Sequence, residues 1–314
     1  MSKLAIVIPA YKIDFFEETL SSIANQTCKD FTLYIGDDCS PNNLYAIVCK
    51  YEGFINIVYK KFEKNIGGTD LVAQWERCVD MVQDEEWIWL FSDDDTMELN
   101  CVEEFYKYID ANKNVDLLHF NVNVIDSQGT VIENLSEFPK LLKTADFFKE
   151  RINYKINSFI VEYIFKRNLF LSKGKFENFD LAWCSDDATW IKFSGQNGIN
   201  TICTAYINWR MSESNISSVF DNKEIVLRKL SSNINYLKWV KSFFSENNIS
   251  IVVSYFNIFR WGIMPIKSSS SFSLREKIKH SIIFCKQFNK QTFIPIAIVY
   301  ILITEVKTSL KLQK

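Results

Sequence analysis

Glycine and proline are scarce in this 314-residue chain, nine and five residues. That excludes collagen-like and low-complexity polymers. Histidine is rarer still, with only His119 and His280. The eight cysteines (28, 39, 49, 78, 101, 184, 203, 285) include no Cys-x-x-Cys pair. Zinc ribbons and secreted disulfide frameworks therefore do not fit, and reduced thiols do. No apolar run reaches the roughly 20 residues that span a bilayer. The longest uncharged one, Gln291–Thr304, has 14 residues and carries Pro295 near its start. Leu4–Ile8 before Pro9 is too short for a signal segment. A cytoplasmic location is the expectation. Gly-x-Gly-x-x-Gly and Gly-x-x-x-x-Gly-Lys-Ser/Thr are both missing, which counts against dinucleotide-binding dehydrogenases and P-loop NTPases.

What the chain has in abundance is apolar surface: 47% hydrophobic and 15% aromatic residues. Such a chain can offset the entropy of ordering. The net charge of −2 hides a division. From Lys267 to Lys314 there are nine Lys/Arg and two acids, +7; the remaining residues carry 27 bases and 36 acids, −9. A basic tail on an acidic body points to an anionic surface or to a solubilised helical appendage, and not to nucleic acid.

Strand and helix signals alternate through the first 120 residues. Leu4–Ile8, Phe31–Ile35, Ile55–Tyr59, Trp87–Phe91 and Val115–Phe120 read as strands. Helical periodicity fills Asp14–Gln26, Asn42–Tyr51, Thr69–Val82 and Glu98–Ala111. This order predicts an open, mostly parallel α/β sheet, whose ligands would bind beyond the carboxyl ends of the strands. The loops there are Pro9-Ala-Tyr11, Gly36–Ser40 and Ser92–Asp95. Val122–Ile132 reads as a hairpin turning at Ser127–Gly129, Ala182–Ser194 holds a helix starting near Asp186, and Ile199–Trp209 is strand-like. Helices rich in Phe, Tyr and Trp fill 220–266, and Lys267–Ser271 reads as a linker. Ser273 and Glu276 then form a capping box, opening a basic helix with Leu274, Ile278, Ile282 and Cys285 on one face.

Four groups could carry chemistry. Asp93-Asp94-Asp95 follows a strand, and three adjacent carboxylates repel unless a cation such as Mg²⁺ or Mn²⁺ neutralises them; a solvated acidic turn is the bland reading. Asp37-Asp38 could bond a base or ribose, or cap the next helix. Asp186-Asp187 opens a helix, where one acid suffices for capping and a second could be a general base. Arg210, with Ser212, Glu213 and Ser214 nearby, could contact a diphosphate or lie on the surface; Lys64 and Arg77 carry the same two readings.

In order and spacing these pieces resemble the family 2 glycosyltransferases of the GT-A fold. The residues that carry the likeness are Ala5-Ile-Val-Ile-Pro-Ala-Tyr11, Leu20–Thr27, Phe31–Ser40, Asn65-Ile-Gly-Gly68 and Trp89–Asp95. A thinner match follows at Asp186-Asp187 and Arg210–Ser217. The resemblance implies that Pro9, Ala10, Tyr11, Asp38, Asn65, Gly67, Asp93 and Asp94 bind the nucleotide, usually a uridine diphosphate sugar. It implies Mn²⁺ or Mg²⁺ on Asp95 with Asp93, and a catalytic base at Asp187, with Asp186 left open by the adjacent acids. Three departures stand out. Cys39 replaces the usual glycine, Asp186 replaces the usual Glu, and the Gln-x-x-Arg-Trp motif of processive members is missing.

The implied organisation is a GT-A domain over 1–215, a helical extension over 216–267 and basic amphipathic helices over 268–314. The implied activity is inverting, non-processive transfer of a hexosyl or N-acetylhexosaminyl group to a glycan or lipid-linked acceptor in surface polysaccharide synthesis. Residues 273–314 would touch the inner face of the membrane or form a homodimer. A nucleotidyltransferase is the alternative enzyme, although its basic Gly-rich loop is missing after the first strand. A non-catalytic protein of the same fold is the alternative without chemistry.

Overall fold

The computed structural model describes residues 2–212 and 216–311. It divides into two compact units. One is Met1–Asn178 with Ser185–Ser212, the other Phe179–Cys184 with Glu213–Lys314.

The first unit is built on a ten-stranded sheet. Its strands are β1 (Leu4–Ala10), β2 (Phe31–Asp37), β3 (Asn56–Lys61), β4 (Trp87–Leu90), β5 (Thr96–Met97), β6 (Leu117–Ile125), β7 (Val131–Asn134), β8 (Leu141–Leu142), β9 (Tyr163–Lys166) and β10 (Ile199–Arg210). Its helices are α1 (Phe16–Ala24), α2 (Tyr45–Val48), α3 (Leu71–Val79), α4 (Cys101–Ala111), α5 (Thr144–Ile152), α6 (Arg167–Ser172) and α7 (Ser185–Ser194). The strand order is β3-β2-β1-β4-β9-β6-β10-β5, with β7 on β6 and β8 on β10.

Strands β3, β2, β1 and β4 are mutually parallel. Strands β1, β2 and β4 are buried along almost their whole length. That is why they read as continuous apolar runs rather than alternating ones. The core gathers Leu4, Ile6 and Ile8 of β1 with Phe16, Leu20 and Ile23 of α1 and Phe105 of α4. Trp89 is fully buried, donates its indole N–H to Val161 O at 2.7 Å and stacks on Phe120.

The sheet is mixed, as the Rossmann-like open mixed sheet implied by the GT-A resemblance requires, although the order of strands and helices alone reads as mostly parallel. Strand β9 enters antiparallel between β4 and β6, pairing Ile164 with Trp89 and Tyr163 with His119. The expected helix over Asn42–Tyr51 contracts to α2. The expected break between Val115–Phe120 and the hairpin is absent, because β6 runs through as one strand before turning. In that turn Asp126 Oδ1 accepts from Gln128 N and Thr130 N, both at 2.9 Å.

The second unit contains α8 (Lys223–Glu246), α9 (Tyr255–Gly262), α10 (Met264–Ser268), α11 (Leu274–Gln287) and α12 (Ile294–Lys311). Its aromatics form the core: the Phe259 ring meets those of Phe284, Phe293 and Tyr300 at 5.8, 5.4 and 6.0 Å. Helix α11 opens with the predicted Ser273–Glu276 capping box. Its buried side, however, carries Lys277, Ser281, Phe284 and Cys285, while Leu274 is exposed. Lys277 can face inward because Glu305 Oε1 of α12 accepts from its Nζ at 2.7 Å. The serine-rich linker is a packed turn, with Ser269 buried and bonded to Phe220 O. No helix among the described residues is long and apolar enough to cross a membrane.

Candidate active site

The ends of β1 and β2 are locked to one another and to the turn after β4. Asp38 N donates to Ala10 O at 2.8 Å, and Ser40 Oγ donates to Tyr11 O at 2.7 Å. Tyr11 N and Lys12 N both donate to Asp93 Oδ2 at 2.7 Å, and Lys12 Nζ pairs with Asp94 Oδ2 at 2.8 Å. Pro9 and Ala10 lie in β1, and the Tyr11 side chain is exposed. A carboxylate that gathers two successive backbone N–H groups fixes a loop firmly. Asp93 therefore shapes the end of the Pro9–Tyr11 segment, which the family resemblance implies would line the nucleotide pocket.

Asp37 is structural. Its Oδ1 accepts from Ser40 N at 2.7 Å and its Oδ2 from Tyr59 Oη at 2.5 Å. This turn places Cys39 at φ 56°. The left-handed region favours glycine, the residue that the family resemblance expects where Cys39 stands. Asp38 is buried, with Oδ1 accepting from Ile66 N at 2.9 Å and Oδ2 from Gly67 N at 2.8 Å. Arg77 closes on Asp38 Oδ1 and also donates to Lys64 O at 3.0 Å. Asn65 is exposed and caps the same loop by accepting from Gly68 N at 3.1 Å. A Cβ on Gly67 would stand 2.6 Å from Asp38 Oδ2. Gly67→Ala is therefore expected to destabilise the chain by about 1–3 kcal/mol, as overpacking does. A thermal melt checks this; an unchanged midpoint would show that the loop does not depend on the contact.

The Ser92–Asp95 turn is buried, with Asp93, Asp94 and Asp95 at most 7% exposed. Asp95 Oδ2 accepts from Ser92 Oγ at 2.5 Å and Oδ1 from Arg210 N at 2.6 Å. Burial, and then the charge of Asp94, raise the proton affinities of Asp93 and Asp95 well above the usual carboxylate range. Arg210 is the residue that the sequence leaves between a diphosphate contact and the surface. It is fully buried; Nε donates to Asp94 O at 2.8 Å, Nη1 to Asp126 O at 2.8 Å and Nη2 to Glu18 Oε2 at 2.6 Å, over the Phe15 ring. Its guanidinium ties the acidic turn to α1 and to the β6–β7 turn. Ser212 lies just beyond it; Glu213 and Ser214 fall outside the described residues.

Asp186 and Asp187 occupy the first turn of α7. Arg151 of α5 grips Asp187 from two nitrogens, Nε to Oδ1 at 2.9 Å and Nη2 to Oδ2 at 2.8 Å. Asp187 is 2% exposed and Asp186 half-buried. Desolvation, and then the charge of Asp187, push Asp186 up to about 7. Two residues that sequence reasoning missed complete this corner. One is Arg151, which lies 36 residues from its partner. The other is Glu162, whose buried carboxyl is pushed up to about 8 by burial and then by the charges of Asp186 and Asp95. That carboxyl lies in the fields of both acidic groups.

Among the described residues, no three His, Cys, Asp or Glu side chains form a ready metal cage. Mg²⁺ and Mn²⁺ commonly take one or two carboxylates and complete their shells with substrate phosphates and water. Asp93 and Asp95 are hard oxygen donors crowded by a third acid, and they fit such a partial set.

The comparisons agree with this architecture. The family model described as Glycosyl transferase family 2 matches residues 5–168. An uncharacterised glycosyltransferase of Methanocaldococcus jannaschii is 29% identical over 160 residues, 49% of this chain and 53% of that protein. The poly(ribitol-phosphate) beta-N-acetylglucosaminyltransferase TarS of Staphylococcus aureus is 28% identical over 161 residues, 50% of this chain and 27% of TarS. The chain thus spans about half the length of the first relative and about a quarter of the second. In solved structures, TarS 1-349 in complex with UDP-GlcNAc superposes with a TM-score of 0.60 at 17% identity, covering 98% of this chain and 92% of that one. GalNAc-T7 with UDP, GalNAc and Mn²⁺ superposes at 0.57 and 12% identity, covering 96% and 57%. With an open mixed sheet whose acidic turns follow β2 and β4, and a family match across more than half its length, the chain belongs to glycosyl transferase family 2 and has the GT-A fold.

Proposed function

We propose that this chain transfers a sugar, with inversion, from a uridine diphosphate sugar to a hydroxyl of a glycan or lipid-linked acceptor. The observation that supports the reading is Glu162, whose buried carboxyl feels the charge of Asp95 from one acidic group and of Asp186 from the other. One group suits the diphosphate end of a donor, the other an acceptor hydroxyl. The uridine and N-acetylhexosamine preference draws on the UDP-GlcNAc bound to TarS. Pro9, Ala10 and Tyr11 would face the nucleotide, and Asp38 and Gly67 would hold its base-side loop.

In this mechanism Asp187 accepts the proton of the attacking hydroxyl. Arg151 orients it. The competing assignment is Asp186, favoured by its proton affinity near neutrality. Asp93 keeps the Tyr11–Lys12 backbone in place beside the donor, and Lys12 offers a cation at the same corner. Asp95, with Asp93, would hold Mn²⁺ or Mg²⁺, which when bound neutralises charge on the departing diphosphate.

A panel of nucleotide sugars assayed with Mn²⁺ for nucleotide release tests the reading. Release from UDP-sugars is expected, with EDTA lowering it by about 10²-fold or more, since a metal of this kind supplies several kcal/mol. Nucleotide release that is insensitive to EDTA would remove the metal from Asp93 and Asp95. Absence of release from every donor would favour a non-catalytic protein.

Residues 273–314 are assigned to an anionic membrane surface or to a second copy of the chain. The support is their net positive charge and an exposed apolar stripe on α12: Ile296, Val299, Ile303 and Val306.

A further inference from the structure

Glu162 stands just before β9, where its carbonyl accepts from Phe120 N of β6 at 2.9 Å. Its side chain is 0% exposed. Oε1 accepts from Phe159 N at 2.6 Å, while Oε2 is buried with no hydrogen-bond partner. An ionised carboxylate with one oxygen unsolvated and other acids nearby is costly, and a neutral carboxyl much less so. The charges it feels come from two elements, Asp186 of α7 and Asp95 after β4. The adjoining Tyr163 hydroxyl bonds Ser158, and His119 of β6 is kept neutral by burial. None of these gives Glu162 a cationic partner.

The same carboxyl braces the loop that precedes it. Phe159 N is held by Oε1, Phe159 O accepts from Trp190 Nε1 at 3.2 Å, and the Phe159 ring stacks on Trp209 at 4.3 Å. At the start of that loop, Ile156 O accepts from Arg151 Nη1 at 3.1 Å, and Arg151 holds Asp187. Glu162 therefore joins the transfer corner both through this loop and through charge.

We propose that Glu162 is a positioning residue of the transfer site: with one oxygen on Phe159 N and the other buried without a partner, its carboxyl keeps its proton and adds no negative charge beside Asp186, and its ionisation is coupled to that of Asp186. The role of Asp186 rests on the transferase reading; the held proton and the coupling do not. If Glu162 loses its proton, the added charge opposes ionisation of Asp186, and by reciprocity an ionised Asp186 holds the proton on Glu162 more tightly. Burial drives Glu162 up to about 8 from an ordinary value of 4.5. Between those values the folded chain binds more protons than the unfolded one. Stability from this group is thus fully present below the lower value and is lost as pH rises through the upper.

The test uses the full chain without ligand. Side-chain carboxyl groups are titrated by ¹³C NMR from about pH 5 to 9 in the wild type, Glu162→Gln and Asp186→Asn, with thermal midpoints across the same range. Two carboxyls, Glu162 and Asp95, are expected to titrate near 8; the one that vanishes in Glu162→Gln belongs to Glu162 and is expected to move to lower pH in Asp186→Asn. Because glutamine can still accept from Phe159 N, Glu162→Gln should fold, and its midpoint should fall less than the wild type's as pH rises. A Glu162 carboxyl that titrates in the ordinary range, or one unmoved by Asp186→Asn, would overturn the proposal. Nucleotide release tests the transferase reading separately, so a coupled pair in a chain that releases no nucleotide would spare this proposal and sink that one.

Discussion

Asp187→Asn is expected to lower sugar transfer by about 10²–10⁴-fold, the range for loss of a general base, while UDP binding stays unchanged. Asparagine keeps the shape and one carbonyl oxygen for Arg151, but it cannot take up a proton. It also halves a buried ion pair, so the variant's thermal midpoint must be measured beside its activity. The parallel variant is Asp186→Asn. Its charge lies beside Asp187 and its side chain is the less buried of the two. A base must be ionised to work, so the rate should rise with pH through the base's own titration. An acid limb near 7 that disappears in Asp186→Asn, together with near-normal turnover in Asp187→Asn, would move the base by one residue. Loss confined to Asp187→Asn keeps it where the family pattern puts it.

How far the sequence could be read depended on whether a signal was local. The strands β1, β2 and β4 announce themselves because parallel interior strands are apolar on both faces. The acids that follow β2 and β4 are visible for the same reason, since a carboxylate ending an apolar run is conspicuous. Strand β9 is harder to see. Val161-Glu-Tyr-Ile-Phe165 brings an acid to the start of a buried strand, where an apolar run should have none. Arg151 gives no local signal, because its partner is set by α5 and α7 coming together rather than by spacing. The inner face of α11 escapes the apolar periodicity for a related reason: a lysine, Lys277, faces inward because Glu305 meets it from another helix. The site was legible as residue types and not as partnerships.

Arg210→Met is expected to cost about 3–5 kcal/mol, the range for breaking a buried charged network. At roughly 2–4 °C per kcal/mol for a chain of this size, the thermal midpoint should fall by about 6–20 °C. The bond from Arg210 N to Asp95 belongs to the backbone and survives the change. The loss falls on the guanidinium contacts. Glu18 contributes least, because its side chain is 53% exposed and a screened pair is worth about 0–1 kcal/mol. The larger share comes from the Asp94 and Asp126 carbonyls, each left without its donor at about 1–3 kcal/mol. Arg210→Lys should recover only part of this, since one ammonium cannot serve three acceptors in a planar fork. The lysine variant also separates a positioning role from a diphosphate contact. Below its melting range, and in EDTA so that no metal bridges the turn to the diphosphate, UDP and uridine affinities are compared with those of the wild type. A residue that holds the Ser92–Asp95 turn weakens both ligands together, leaving their ratio unchanged, which is the expected result. A selective loss for UDP would return Arg210 to the diphosphate.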